Sequence, residues 1–107
     1  MNKYGNMKTE IDGIVFDSKK ESKRYMVLKL LEKQGKIQNL KIKTRYELIP
    51  KNEKFRALSY ISDFEYYIEG KKIVEDVKGY RGGAGYGIFT IKKKLMYHIY
   101  KIEITEV

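Results

Sequence analysis

Cysteine is missing from these 107 residues, which excludes disulfide bridges and thiolate metal sites but does not fix a compartment. Long apolar runs are missing as well, and nothing approaches the roughly 20 residues that a membrane-spanning helix needs. The opening Met1-Asn2-Lys3-Tyr4-Gly5-Asn6 carries no apolar segment of the secretory kind, so the expected location is cytoplasmic and no membrane partner is expected. Histidine occurs once, as His98, and is read as a helix-end residue rather than a ligand or base. Acidic residues are in the minority. Twenty-three Lys and Arg stand against fourteen Asp and Glu, giving a net charge of +9, the footprint of a protein that binds a polyanion. Ten tyrosines add rings able to stack on bases or pack beside sugars. The plain alternative is that the lysines solvate the surface and the tyrosines fill the core. At this length and with 42% hydrophobic residues, one domain with a single modest core is expected over 1–107.

Along the chain, residues 1–16 are polar and form an arm or a small hairpin around Asp12-Gly13. Ser18-Lys19-Lys20-Glu21 is a capping-box pattern that starts a helix running to about Lys33, with Gly35 ending it. Tyr25, Leu28 and Leu31 recur at helical spacing, with Val27 and Leu30 widening the stripe. Ile42, Thr44, Tyr46 and Leu48 then alternate with Lys41, Lys43, Arg45 and Glu47, the pattern of a half-exposed strand. A turn at Pro50-Lys51-Asn52-Glu53 leads to a long strand from Phe55 to Ile68, whose hairpin partner is Lys71 to Lys78. A glycine-rich loop spans residues 79–87. A second helix, from about Ile88 to His98, is expected to carry Ile88, Ile91 and Leu95 on one face and Lys92, Lys93 and Lys94 on the other. Alternation at Lys101-Ile102-Glu103-Ile104-Thr105 reads as a last strand. The class is α/β, in the order α-β-β-β-α-β.

The hairpin holds the strongest chemical signal. If Glu69-Gly70 is a two-residue turn, Ile68 faces Lys71, and counting outward sets Asp63 opposite Asp76. Directly opposed residues share a face with Cβ atoms about 4.5–5.5 Å apart, and two like charges there repel. A cation between them relieves that repulsion. Lys78 lies two residues past Asp76 and projects from the same face, whereas Glu75 points the other way. Two carboxylates and a lysine on one sheet face are the parts needed to hydrolyse a phosphodiester with Mg²⁺.

This arrangement resembles the PD-(D/E)XK nuclease superfamily, the restriction-endonuclease-like fold, over roughly residues 17–106. That family's signature is an acidic residue on the second core strand, then acid-x-Lys on the third. Asp63 in Ser62-Asp63-Phe64 and Asp76-Val77-Lys78 match it, with Ser62 in place of the proline. In the branch with archaeal Holliday-junction resolvases a glutamate on the first helix joins the metal site, and Glu21 matches it in place. The opening Lys3-Tyr4-Gly5-Asn6, with Asp12-Gly13 and Phe16-Asp17-Ser18-Lys19-Lys20-Glu21, is similar to small phage and prophage proteins assigned to that superfamily.

The resemblance implies a mixed central sheet flanked by helices and a metal-dependent DNA endonuclease, structure-specific on junctions or branches, working in the bacterial host cytoplasm if phage-encoded. Asp63, Asp76, Lys78 and Glu21 would be the catalytic set. Asp63, Asp76, Glu21 and the Val77 carbonyl would hold Mg²⁺ or Mn²⁺. Lys78 would orient the attacking water or offset transition-state charge. Lys19, Lys20, Arg81, Lys92, Lys93 and Lys94 would meet the DNA backbone, and a homodimer would form if two strands are cut. Glu21 has a second reading as the reciprocal arm of the helix cap. The glycine loop reads either as a phosphate-gripping loop or as a connection ordered only on DNA; without a Gly-Lys-Ser/Thr ending it argues against nucleoside triphosphate hydrolysis. The runner-up for the whole chain is a basic module that binds nucleic acid without cutting it; a structural subunit of a phage assembly is the third reading.

Overall fold

Local turn chemistry sets out the first elements. A computed structural model describes residues 8–79 and 81–107, so the Lys3-Tyr4-Gly5-Asn6 stretch and Tyr80 lie outside the described residues. Strands β1 (Thr9–Ile11) and β2 (Ile14–Phe16) pair antiparallel around Asp12 and Gly13, whose φ values of 54° and 77° are those of a primed hairpin turn. Helix α1 (Lys19–Lys33) begins where Ser18 takes an extended conformation and its Oγ accepts the Glu21 N–H at 3.1 Å. It ends at Gly35, which supplies a φ of 78°. Tyr25 and Leu28 are buried as the spacing requires, with Ser22 beside them. Val27 and Leu30, expected to widen the stripe, are 47% and 56% exposed, because the surface that α1 covers is narrower than its apolar face.

The strand expected at 41–48 begins earlier, at Gln38, and both it and the strand expected at 55–68 are bent. The first becomes β3 (Gln38–Ile42) and β4 (Arg45–Ile49), the second β5 (Leu58–Ile61) and β6 (Phe64–Ile68). The bends lie opposite each other and the ladder runs through them. Ile42 pairs with Phe64 and Arg45 with Ile61 in one continuous register, bridged by the Lys43 N–H to the Asp63 carbonyl and the Ser62 N–H to the Thr44 carbonyl. Lys43 takes a positive φ of 52° at this corner, where neither Gly nor Pro marks the break in sequence. Phe55 falls outside the strand and is 71% exposed.

Strand β7 (Lys71–Asp76) returns antiparallel to β6 through Glu69 and Gly70, with φ values of 49° and 80° and Ile68 opposite Lys71, the register that a two-residue turn requires. The last strand, β8 (Thr105–Glu106), is shorter and later than the alternation at 101–105 suggests, because Lys101 caps the preceding helix in the left-handed conformation. It pairs parallel to β7, giving a mixed sheet in the order β3-β6-β7-β8. A parallel neighbour needs a crossover, and helix α2 (Gly83–Tyr100) provides it. That helix takes in Gly83, Gly85 and Gly87, which by composition alone belong to a loop.

Alternation along β7 divides the interior in two. Val74 packs with Tyr46, Leu48, Tyr60, Ile104 and the α2 residues Phe89 and Met96. Ile73 and Val77 pack instead against Phe16, Tyr25, Leu28, Ile37, Phe64 and Tyr66, on the α1 side. Leu28 and Met96 are wholly buried, each contributing about 1.5–3 kcal/mol through removal from water. Of Ile88, Ile91 and Leu95, expected on one face, Leu95 packs against the core whereas Ile88 and Ile91 are 56% and 59% exposed; α2 is turned so that Phe89 and Met96 point inward. No helix among the described residues is long and apolar enough to cross a membrane.

Candidate functional site

The acids converge where the bend of the β5–β6 strand meets the end of β7. Asp63 stands one step beyond the Phe64–Glu75 pair, where the ladder ends; its N–H donates to the Glu75 carbonyl at 3.2 Å, and the Asp76 carboxylate lies near enough to act on its charge. Its Oδ2 accepts the Val77 N–H at 2.7 Å. From the far side, the first turn of α1 brings the Glu21 carboxyl into hydrogen bonding with Asp63. Burial, the neighbouring Asp76 carboxylate and this bond to Glu21 together push the Asp63 carboxyl up to about 8, against the smaller pull of the Val77 N–H. Asp63 therefore holds a proton at neutral pH, and two carboxyl groups can hydrogen-bond only when one of them does.

The Glu21 side chain returns to the cap through the Ser18 hydroxyl rather than through the Ser18 amide that a capping box uses. The Glu21 N–H is the one capped by Ser18, and its Oε2 accepts the Ser18 hydroxyl at 3.3 Å while the carboxyl also reaches Asp63. The cap therefore orients the side chain towards the sheet.

Asp76 is neutralised differently. Lys78 Nζ lies 2.9 Å from its Oδ1, and the Tyr60 hydroxyl donates to its Oδ2 at 2.6 Å. Lys78 also sits over the Phe89 ring, 3.4 Å from its centroid, a cation–π contact that fixes the ammonium beside the carboxylate. Burial first, then the bond to Asp76, holds the Tyr60 phenol far above the ordinary tyrosine range, so it remains a donor. Lys20, reaching from α1, donates to the Lys78 carbonyl. Tyr60 was not legible as a site residue, because only the bend between β5 and β6 brings it to Asp76.

On the opposite face Glu75, 1% exposed, is held by Arg24 at 2.8 and 2.6 Å and by the Tyr66 hydroxyl, a structural clamp between α1 and the sheet. Glu106, beside Asp76 across the β7–β8 pair, gathers Lys93 at 2.8 Å, Tyr86 at 2.9 Å and Arg81 at 3.2 Å. These donors, Lys93 foremost, lower its carboxyl to about 2. Arg81 and Lys93, expected to meet DNA, are thus already paired with an acid of this chain. Lys92 lines a cleft with Asp76 and Lys78, whereas Lys94 borders a separate groove with Thr90, Tyr97 and Glu103. The three lysines do not form one patch. Lys19 is exposed at the start of α1.

The cleft beside Asp76 and Lys78 has a volume of about 330 Å³ and takes in Arg45, Ser59 and Ile61 from the bent ribbon and Gly85, Ile88 and Phe89 from α2. Chemically, the donor set is hard oxygen, crowded until one carboxyl takes a proton and the other an ammonium. Mg²⁺ or Mn²⁺ fits such donors, and its charge would replace both the proton and the lysine. As they stand, no three acidic or histidine side chains among the described residues enclose a cation.

No curated protein and no solved structure matches the chain. One family model does, over residues 1–106, and by that match the chain belongs to the family described as protein of unknown function (DUF1064).

Proposed function

We propose that this protein is a metal-dependent endonuclease that hydrolyses phosphodiester bonds in DNA, built on the restriction-endonuclease-like plan its sequence resembles. One observation carries the reading. Asp63 and Asp76 lie beside each other just past the end of the β6–β7 ladder, with Glu21 bonded to the first and Lys78 to the second, and Asp76 and Lys78 line a cleft. Burying two carboxyl groups so close that one takes a proton and the other an ammonium is costly in a purely structural role.

Asp63, Asp76 and Glu21 would hold Mg²⁺ or Mn²⁺, joined by the Val77 carbonyl as the resemblance implies. When bound, the ion supplies acidification of water and stabilisation of charge on phosphate oxygens. Tyr60 holds Asp76 in one rotamer, and the Val77 N–H does the same for Asp63. Lys78, released from Asp76, is placed to orient a water or to meet the negative charge that grows on the phosphate. Lys20 fixes the Lys78 peptide. Lys92 and Arg45, which line the same cleft, are cations available to the DNA backbone.

A second reading, a basic module that binds without cutting, is favoured by the same ion pair, since Lys78 and Tyr60 already satisfy Asp76. Incubation of supercoiled plasmid with wild type and Lys78→Ala, with Mg²⁺, Mn²⁺ or chelator, separates the two. Nicking by the wild type only, and only with metal, is expected. Wild type that binds plasmid but never nicks it establishes the second reading.

A further inference from the structure

The cleft that holds Asp76 and Lys78 has walls unlike those needed for a phosphate backbone alone. Ile61 from β5 and Ile88 from α2 both line it and are 48% and 56% exposed. Gly85, one turn before Ile88, contributes no side chain; a Cβ there would meet nothing within 4 Å. A glycine in the first turns of a helix with open space around it weakens the helix and gives no packing in return. What it does leave is room. Arg45 and Lys92 add positive charge to the same cleft. Its volume of about 330 Å³ lies at the small end of ligand-sized pockets, about 300–1,000 Å³.

A stacked duplex presents phosphates and sugars to such a surface and would leave the isoleucines facing nothing apolar. An unstacked base offers two apolar faces that sit well against aliphatic or aromatic walls, with its phosphate near the cations. Asp76 and Lys78, which line the cleft, mark where that phosphate would lie. We infer that this cleft takes an unpaired nucleotide of a DNA strand, so that the substrate is DNA with a flap, overhang, bulge or open junction rather than continuous duplex. This rests on the endonuclease reading for its consequence, but the recognition step stands on the cleft.

Two variants test it without disturbing the fold. Ile88→Ala removes an exposed wall, and Gly85→Leu fills the cleft while adding a better helix former. Binding is measured in chelator, by fluorescence of 2-aminopurine in a single-stranded flap and by competition with plain duplex of equal length. Wild type is expected to bind the flap about tenfold tighter than the duplex and to unstack the probe base. Gly85→Leu should retain or raise the melting temperature, lose that preference, and change duplex affinity by less than about twofold, because lysines meeting phosphates carry the latter. Equal affinity of wild type for flap and duplex overturns the inference, as does an unchanged preference in both variants. Cleavage with Mg²⁺ then separates this inference from the reading beneath it. Preference in binding with no cutting removes the nuclease and keeps the cleft; equal cutting of flap and duplex keeps the nuclease and removes the cleft.

Discussion

The Tyr60 hydroxyl donates to Oδ2 of Asp76 at 2.6 Å, and both side chains are buried, at 3% and 7% exposure. The tyrosine comes from β5 and the aspartate from β7, strands of different sheets, so the bond ties the bent part of the ribbon to the central sheet. Tyr60→Phe keeps the ring against Tyr46 and Phe89 but leaves a carboxylate oxygen without its donor. The expected loss in the metal-free protein is about 1–3 kcal/mol by urea unfolding. A change below about 0.5 kcal/mol would show that Lys78 alone satisfies Asp76.

Protonation of Asp63 sets a pH dependence with a definite sign. Its carboxyl moves from an ordinary 3.8 when unfolded to about 8 when folded, so between those values the folded state binds a proton that the unfolded chain does not. Stability from this group is complete below the lower value and is lost as pH rises through the upper one. In chelator, the melting temperature of wild type should decline from about pH 5 to pH 8, and Asp63→Asn should flatten that decline. A wild-type profile that rises over the same interval would contradict the shared proton.

Arg24 and Glu75 form a clamp whose removal should cost more than any surface pair. Arg24→Met strands a carboxylate that is 1% exposed, with only Tyr66 left to satisfy it. Because Arg24 retains 28% side-chain exposure, the lower end of the usual range applies, about 3 kcal/mol. The double variant Arg24→Met/Glu75→Leu should recover most of this in chemical denaturation. If the double variant is no more stable than the single one, the clamp contributes through packing rather than charge.

Lys78 and Lys92 should separate catalysis from binding. Lys78→Ala is expected to slow single-turnover cleavage by orders of magnitude with little change in DNA affinity, since the ammonium acts where charge builds on the phosphate. Replacing Lys92 and Lys94 should weaken binding and lower the salt slope by about one for each phosphate no longer neutralised, with saturating DNA restoring most of the rate. Lys93→Ala belongs to neither class. It removes from Glu106 the partner at 2.8 Å while Tyr86 and Arg81 remain, and should be read out in stability. Proportional loss of binding and cleavage in Lys78→Ala would move that lysine from chemistry to docking.

What the sequence determined by itself is what short-range physics controls. Ser18 and Gly35 bound α1, Glu69-Gly70 fixes the β6–β7 register as far as Phe64 and Glu75, and side-chain alternation turns Glu75 away from Asp76. Each depends on residues within a few positions of one another, so turn chemistry and side-chain period suffice. The bend at Lys43 and Asp63 carries no such mark, since neither glycine nor proline stands there. It arises because the ribbon must leave the central sheet for Tyr46, Leu48 and Tyr60 to pack against Phe89 and Met96. The face of α2 was likewise undecidable locally, with isoleucines on one side and Phe89 and Met96 on another; the space under the bent ribbon chose the second pair. The pairing of Tyr60 with Asp76, of Arg81 and Lys93 with Glu106, and of Glu21 with Asp63 was settled the same way. These partners are brought together only when the packed layers meet, because side-chain charge has no period of its own to announce which acid it will find.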